Sequence, residues 1–518
     1  MLDALVIGAY FAAVFAIGLY HSKNKRTSSD YFLAGRNVGW FAVGASLLST
    51  NISSEHFIGL AGSGASSGLA VGCYELGAAF CLLLLGWLFV PHYLRSGVFT
   101  MPEFLERRFD ARCRWYLTIV SLAAYVFTKI SVHLYAGALL MREVAGWDYL
   151  TTSILLVVAT GIYTILGGLE AVIYTDLMQS FVLLTGAVVL SALGLERAGG
   201  FEGLRAALPG GFFHMIKPAS DASYPWPGTT LGVLILGIWY WCTDQSIVQK
   251  TLAARNLTEA RKGTFFCAAL KILPLFCLVL PGLAAKAIYG TEVTGDNAFP
   301  LLVTRLMPAG LKGLMVAALM AALMSGMSSA LNSCSTLITI DIYRKRHPSK
   351  SEAELVWFGR VTTGVVVALS ILWIPIIPYM SGQVYQYMQS VQAYVAAPIT
   401  AVFLAGVLWR GATAQAAFLA LSLGGAAGAF RFVLDVLRNA GGLNLGPLAP
   451  LAELSFLYFA IAVFFACLLL IVVVSKAAAV RHTNDAFILS RHWQGTTAEL
   501  VWSIGVIAAV VYTWAHFA

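Results

Sequence analysis

The stretch Ser49-Thr50-Asn51-Ile52-Ser53-Ser54 lies in the middle of an apolar run, residues 38–65, and Trp239-Tyr240-Trp241-Cys242-Thr243-Asp244-Gln245 lies in another, residues 229–249. Each run is long enough to span a bilayer, and each carries hydroxyl, amide or carboxylate side chains where a membrane helix wants hydrocarbon. The first is followed by Gly59, Gly62, Gly64 and Gly68, which weaken the helix further. Unwound backbone at membrane depth is tolerated only where it is buried or lines a cavity. Two interrupted spans in corresponding places are the sequence mark of an inverted-repeat site.

Working outward, hydropathy predicts fourteen spans, at residues 3–20, 38–65, 69–93, 113–141, 151–167, 170–195, 229–249, 264–289, 314–341, 355–374, 384–408, 412–433, 452–475 and 498–517. The interrupted spans are the second and the seventh, five apart. Spans 2–6 and 7–11 then form two repeats. The expected fold is an all-α membrane protein with a five-plus-five inverted-repeat (LeuT-type) core. It is one polytopic domain over 1–518: a first helix and inner loop (1–37), the core (38–410) and three further helices (411–518).

Composition supports this and excludes other classes. Hydrophobic residues make up 59% of the chain and charged residues 11%, against about 25% charged in a soluble protein. Lys and Arg cluster at Lys23–Arg26, Arg107–Arg114, Lys250–Lys262, Arg344–Lys350 and Lys476–Arg491. All five fall on one side if fourteen helices cross, and the positive-inside rule then puts both termini outside. The net charge of +8 is a topology signal rather than a nucleic-acid footprint, because no soluble face exists to carry it. The first span has no small-residue cleavage site and is read as a retained helix. Most of the eight cysteines lie well inside spans, without metal-ligand spacing. No nucleophile, phosphate-loop or zinc motif appears, so an enzyme is not expected.

Polar residues inside the apolar runs are the functional candidates. Lys271 sits within residues 264–289, where a charge costs roughly 2.5–3.5 kcal/mol to insert. Asn51, His56, Glu75, Asp244, Gln245 and Gln389 occupy similar runs. Each has an ordinary reading beside the functional one. Lys271 and Glu75 would stabilise a bundle simply by pairing, an intramembrane histidine is more often a satisfied core residue, and Tyr240 and Trp241 would serve as packing. Lys129 and Asp176 read as structural charge partners.

The stretches Asp30–Arg36, Gly44–Ile52, His56–Gly62, Gly86–Pro91, Phe127–Ile130, Ala171–Asp176, Trp239–Gln245 and Asn332–Leu337 together resemble the sodium/glucose cotransporter branch of the sodium/solute symporter family. They run collinearly from about residue 30 to 410. The resemblance implies sodium-coupled symport of a sugar, a hexose or related polyol, by alternating access. It implies sugar contacts at Asn51, His56, Glu75, Tyr240, Trp241, Lys271 and Gln389. It also implies an outer cap at Leu60, Tyr74 and Tyr385, and an inner cap at Tyr240. Lys271→Ala is then expected to abolish binding and leave the fold intact. The coupling ion, sodium, is expected between the carbonyls of Ser49 and Ile52 on one side and Ala322 and Ser325 on the other. Gly326 stands where the family carries a second serine, so one side-chain oxygen is missing. Water or a nearby hydroxyl such as Ser53 is the replacement that the sequence offers.

Gly237 and Gln392 also depart from the residues usual near the sugar, leaving the stereoisomer open. The outer loop Gly290–Asn297 is short and cysteine-free, which points to a bacterial inner-membrane protein. Expected partners are a small-molecule sugar and the lipid bilayer, with no nucleic acid and no obligatory protein. Gly326 keeps a sodium-independent or proton-coupled carrier open as one alternative. A non-concentrating sugar sensor or channel is the other.

Overall fold

The computed structural model describes residues 2–22, 27–221, 223–373, 384–439, 446–478 and 495–518, and among them the regular structure is helical. The helices that build the site are α1 (Leu2–Tyr20), α2 (Trp40–Asn51), α3 (Ser54–Ser67), α4 (Cys73–Leu84), α5 (Ser131–Ala145), α6 (Tyr149–Arg197), α7 (Gln245–Leu252), α8 (Leu257–Leu270), α9 (Leu311–Thr336) and α10 (Val384–Leu408). Among the described residues, ten helical stretches are long and apolar enough to cross a membrane, or eleven if the bent pair Gly228–Thr243 and Gln245–Leu252 counts as one. Several of these stretches contain turns. The 49-residue α6 bends at Gly168, whose φ of 59° and ψ of −153° lie outside helical space.

Both expected interruptions are present. Helix α2 ends when Ile52 (ψ 102°) and Ser53 (ψ −172°) turn extended, and α3 starts at once at Ser54. The other run winds into a wide π-helical turn over Ile238–Thr243, then breaks at Asp244 (ψ 130°). Asp244 caps the following helix by accepting from Ser246 N at 2.9 Å, and the two pieces meet at 47°. A third break was not read from sequence. Helix α8 stops at Lys271 because Pro274, three residues on, has no N–H to continue the ladder.

Helix α9 is the axis of the molecule. The stretch Leu311–Arg346 is 94% buried over its most apolar window, whereas α1 is 17% buried and Thr497–His516 is 22%. The outer helices therefore turn Leu5, Val501, Tyr512 and similar side chains outward, as lipid-facing helices must. Helix α6 packs most extensively against α9. One carboxylate ties this centre together. Asp176 on α6 accepts from Ser46 of α2 at 2.6 Å and Ser325 of α9 at 2.6 Å, and pairs with Lys250 of α7. Lys250 is fully buried. The sequence reading puts it in an inner basic cluster; the eight-residue helix after Asp244 instead carries it into the core. Arg108 and Arg114 are likewise buried, bonded to the carbonyls of Gly406 and Trp409 and to Asp341 respectively. These three cations are structural and carry no topology information.

Candidate solute cavity

The two main breaks and the Lys271 break converge on one cavity of about 60 Å³, room for several waters. Six of its lining groups decide its chemistry: Asn51, Glu75, Lys129, Tyr240, Trp241 and Lys271. Lys271 Nζ donates to Asn51 Oδ1 at 2.6 Å and is ion-paired with Glu75. His56 Nε2 lies 3.6 Å from Glu75 Oε1, so the carboxylate is shared between a lysine and an imidazole. Lys271 Nζ also sits 5.6 Å from the Trp241 ring centroid, within cation–π range. Local structure explains the convergence. Lys271 caps a helix that proline has stopped, Glu75 stands in the first turn of α4, and Asn51 is the last residue before the α2–α3 break.

A second charge pair closes the cavity at the other broken run. Lys129 Nζ lies 3.0 Å from Asp244 Oδ1 and 2.8 Å from Ser246 Oγ, and 4.9 Å from the Tyr240 ring centroid. Tyr240 and Trp241 meet edge to face at 5.2 Å between centroids. The cavity is thus lined by two lysines and one carboxylate, Glu75, and each lysine is already matched, Lys271 by Glu75 and Lys129 by Asp244 behind the wall. It presents amide, imidazole, ammonium and carboxylate atoms with no net charge of its own.

All seven residues named as sugar contacts line this one cavity, as does Tyr74 from the expected outer cap. Leu60 is fully buried and does not line it. The side chain of Tyr385 lies outside the described residues. Of the four expected cation ligands, Ser49, Ile52, Ala322 and Ser325 are all buried behind the cavity wall. Ser325 spends its hydroxyl proton on Asp176, which leaves its lone pairs available. Thr50 Oγ1 and Ser329 Oγ approach to 3.1 Å, so the α2–α3 break faces the serine-rich stripe of α9.

Gly326 has a cause that the sequence did not reveal. A Cβ built there would fall 2.0 Å from His133 Nε2. The imidazole reaches from α5 across to α9 and occupies the volume that a serine side chain would need. His133 is buried and lines the cavity, bonded through Nδ1 to the Lys129 carbonyl. Gly237 has a similar origin, since a Cβ there would meet Cys81 Sγ at 2.6 Å. His133, Ser246 and Lys250 are the site and near-site residues that sequence reasoning missed. The signal for His133 was its place at membrane depth, where ionisable groups are uncommon.

Residues 31–424 match the model of the sodium:solute symporter family. The chain belongs to that family. It is a membrane transporter and not an enzyme. It is 41% identical over 514 residues to mouse sodium/glucose cotransporter 4, covering 91% of this chain and 75% of that protein. It is 40% identical over 518 residues to rabbit sodium/glucose cotransporter 1, covering 91% and 78%. Mouse sodium/myo-inositol cotransporter matches at 40% over 522 residues, covering 91% and 73%. Among solved structures, the substrate-bound, outward-open Na+-coupled sialic acid symporter superposes with a TM-score of 0.79 over 93% of this chain and 99% of that one, at 23% identity. A nucleobase-cation-symport-1 family transporter superposes at 0.55 over 90% and 98%, at 16% identity. At those identities the two structures establish a shared fold alone.

Proposed function

We propose that this symporter carries a neutral polyhydroxylated solute, a hexose or a cyclic polyol of the inositol type, inward with sodium by alternating access. The observation that carries the reading is the internally matched cavity. Lys271 is neutralised by Glu75 and Lys129 by Asp244, so no unpaired cation waits for a carboxylate or phosphate on the solute. What the walls offer is a ring of donors and acceptors, which suits hydroxyls, and two aromatic faces, which suit the apolar face of a saturated ring. The relatives named for glucose and for myo-inositol support the same class. In this reading Asn51, His56, Glu75, Tyr240, Trp241, Lys271 and Gln389 contact the solute. Tyr74, with Leu60 and Tyr385, closes it from outside, and Tyr240 closes it from inside.

Sodium is taken at the α2–α3 break, with Ser49, Ile52, Ala322 and Ser325 as ligands. One cation crossing about 100 mV gains about 2.3 kcal/mol, and a tenfold gradient adds about 1.4 kcal/mol. At one-to-one coupling that supports roughly several-hundred-fold accumulation.

We further read the chain as fourteen spans with both termini outside, in a bacterial inner membrane, with the five-plus-five repeat over 38–410. Splitting α6 at Gly168 and the long run before Ser96 at Gly68 raises the count, and the helical stretch 111–145 completes it. Contacts at the two termini support an even number of crossings. Asp3 Oδ1 accepts from Gly310 N and Gly313 N at 2.7 Å. The carbonyl of Ala518 meets His214 Nδ1 at 2.9 Å. Segments 290–297 and 210–213 both pack on residues 62–68, which joins these contacts into one face.

The test is uptake of radiolabelled glucose, galactose and myo-inositol into proteoliposomes, with and without an inward sodium gradient. Accumulation that requires the gradient is expected. Uptake indifferent to sodium would favour the uncoupled or proton-coupled carrier, for which the imidazole filling the space beside Gly326 is the motive. Binding without uptake would point to a sensor or channel.

A further inference from the structure

Two hydroxyls, those of Ser49 and Ser53, flank the α2–α3 break without a hydrogen-bond partner among the described residues. Both residues are fully buried. Ser53 is the more informative. It occupies the N-cap of α3, where a serine oxygen ordinarily accepts from an amide of the first turn, yet here it makes no such bond. A buried hydroxyl that forgoes the amides beside it, in a region sealed from water, is costly unless something else uses its lone pairs.

The surroundings point to a hard cation. The α2–α3 break leaves the carbonyl of Ser49 without the N–H of Ser53 that a continuous helix would supply. The C-terminal end of α2 carries the negative end of its peptide dipoles toward the same place. Across from it, Ser325 has turned its proton to Asp176 and keeps its lone pairs. Position 326 can offer nothing, because His133 has taken its space. Hard cations want several oxygens, and the break supplies them on its own strand of the site.

Resting on the sodium-coupled reading above, we infer that Ser53 Oγ, supported by Ser49 Oγ, is a sodium ligand of this chain, replacing the side-chain oxygen that Gly326 lacks. The ligand set is thereby shifted from α9 onto the broken helix. That helix also carries Asn51, which touches Lys271 in the solute cavity. Ion and solute are then read by residues two apart on the same segment.

The experiment uses the full chain in detergent and in proteoliposomes. Thermal stability is followed against sodium chloride, with choline chloride holding ionic strength, and no solute present. The parent is expected to gain stability with sodium in a saturable manner. Ser53→Ala is expected to need roughly tenfold more sodium for the same gain, the loss of one ligand to a charged group. Ser53→Thr, which keeps the hydroxyl, is expected to stay near the parent. In uptake, Ser53→Ala raises half-saturating sodium while solute affinity at saturating sodium is retained. An unchanged sodium response in Ser53→Ala overturns the assignment, as does a Ser53→Thr variant as impaired as the alanine. Should Ser53→Ala fail to fold, Ser53→Gly and Ser49→Ala provide the same comparison. A parent that responds to sodium but carries no sugar or polyol removes the solute reading and leaves Ser53 under test. A parent whose stability ignores sodium removes the ion site itself.

Discussion

Lys271 and Glu75 are paired in the structure, and the pairing changes what the removal of one of them should cost. From sequence, Lys271→Ala is expected to leave the fold intact. In the structure both partners are buried and ion-paired, so removing the lysine leaves a buried carboxylate with only the more distant His56 imidazole, 3.6 Å away. That is expected to cost about 3–5 kcal/mol, seen as a large drop in melting temperature. Lys271→Met combined with Glu75→Gln should recover most of the stability, since both charges go together, yet uptake should remain abolished in the single and the double variant. Recovered uptake in the double variant would mean that the pair is only structural. Gly326 is the second case. Its departure from the family pattern was visible, but its reason lies on another helix. Gly326→Ser and Gly326→Ala should both be impaired, by about 1–3 kcal/mol of overpacking against His133. His133→Ala added to either should relieve the loss. Scanning fluorimetry of the four combinations gives the coupling energy, and additive effects would show that the imidazole moves aside freely.

At the scale of elements, the two polar interruptions were legible because hydroxyl and amide runs inside hydrocarbon have few other uses. The structure places the breaks at Ile52–Ser53 and at Asp244, inside the stretches that were singled out. The stop at Lys271 was not read, although Pro274 stood in plain view, because apolar periodicity continues through it. The position of Lys250 was also lost, since a lysine just past an apolar run looks like a loop charge until the helix axis turns at Asp244. The junction between residues 167 and 170 was legible as a boundary, and the structure gives it a mechanism. Gly168 has φ 59° and ψ −153°, a region essentially closed to other residues, and a Cβ there would lie 2.4 Å from the Tyr31 carbonyl. Gly168→Ala is therefore expected to destabilise by at least about 1–3 kcal/mol. Gly8→Ala is the control: Gly8 lies within α1 with open space around its Cα, so alanine should be neutral or stabilising by up to about 1 kcal/mol. Equal melting temperatures for the two variants would mean that the α6 bend tolerates a side chain.

For the whole molecule, the decisive quantity is the parity of crossings. An even number puts both termini on one side of the membrane, and an odd number separates them. Counting unbroken helices that are long and apolar enough leaves ten or eleven stretches among the described residues, because a bent span and two spans joined end to end both defeat a simple length criterion. The fold itself carries a better test. All eight native cysteines are buried, so the parent should react little with a membrane-impermeant maleimide. Thr291 and Ser351 are exposed and lie on either side of the single long buried stretch Leu311–Arg346. In intact cells Thr291→Cys should label from outside and Ser351→Cys only after permeabilisation, because the basic segment Arg344–Lys350 belongs on the inner side. An epitope added after Ala518 should be reachable from the same side as Thr291, because Ala518 packs on His214 and the adjoining segments meet around residues 62–68. A carboxyl-terminal epitope reachable only after permeabilisation, with Thr291→Cys still labelled from outside, would make the crossings after residue 291 odd in number. That result would refute the fourteen-span reading while leaving the cavity and its ion pairs untouched.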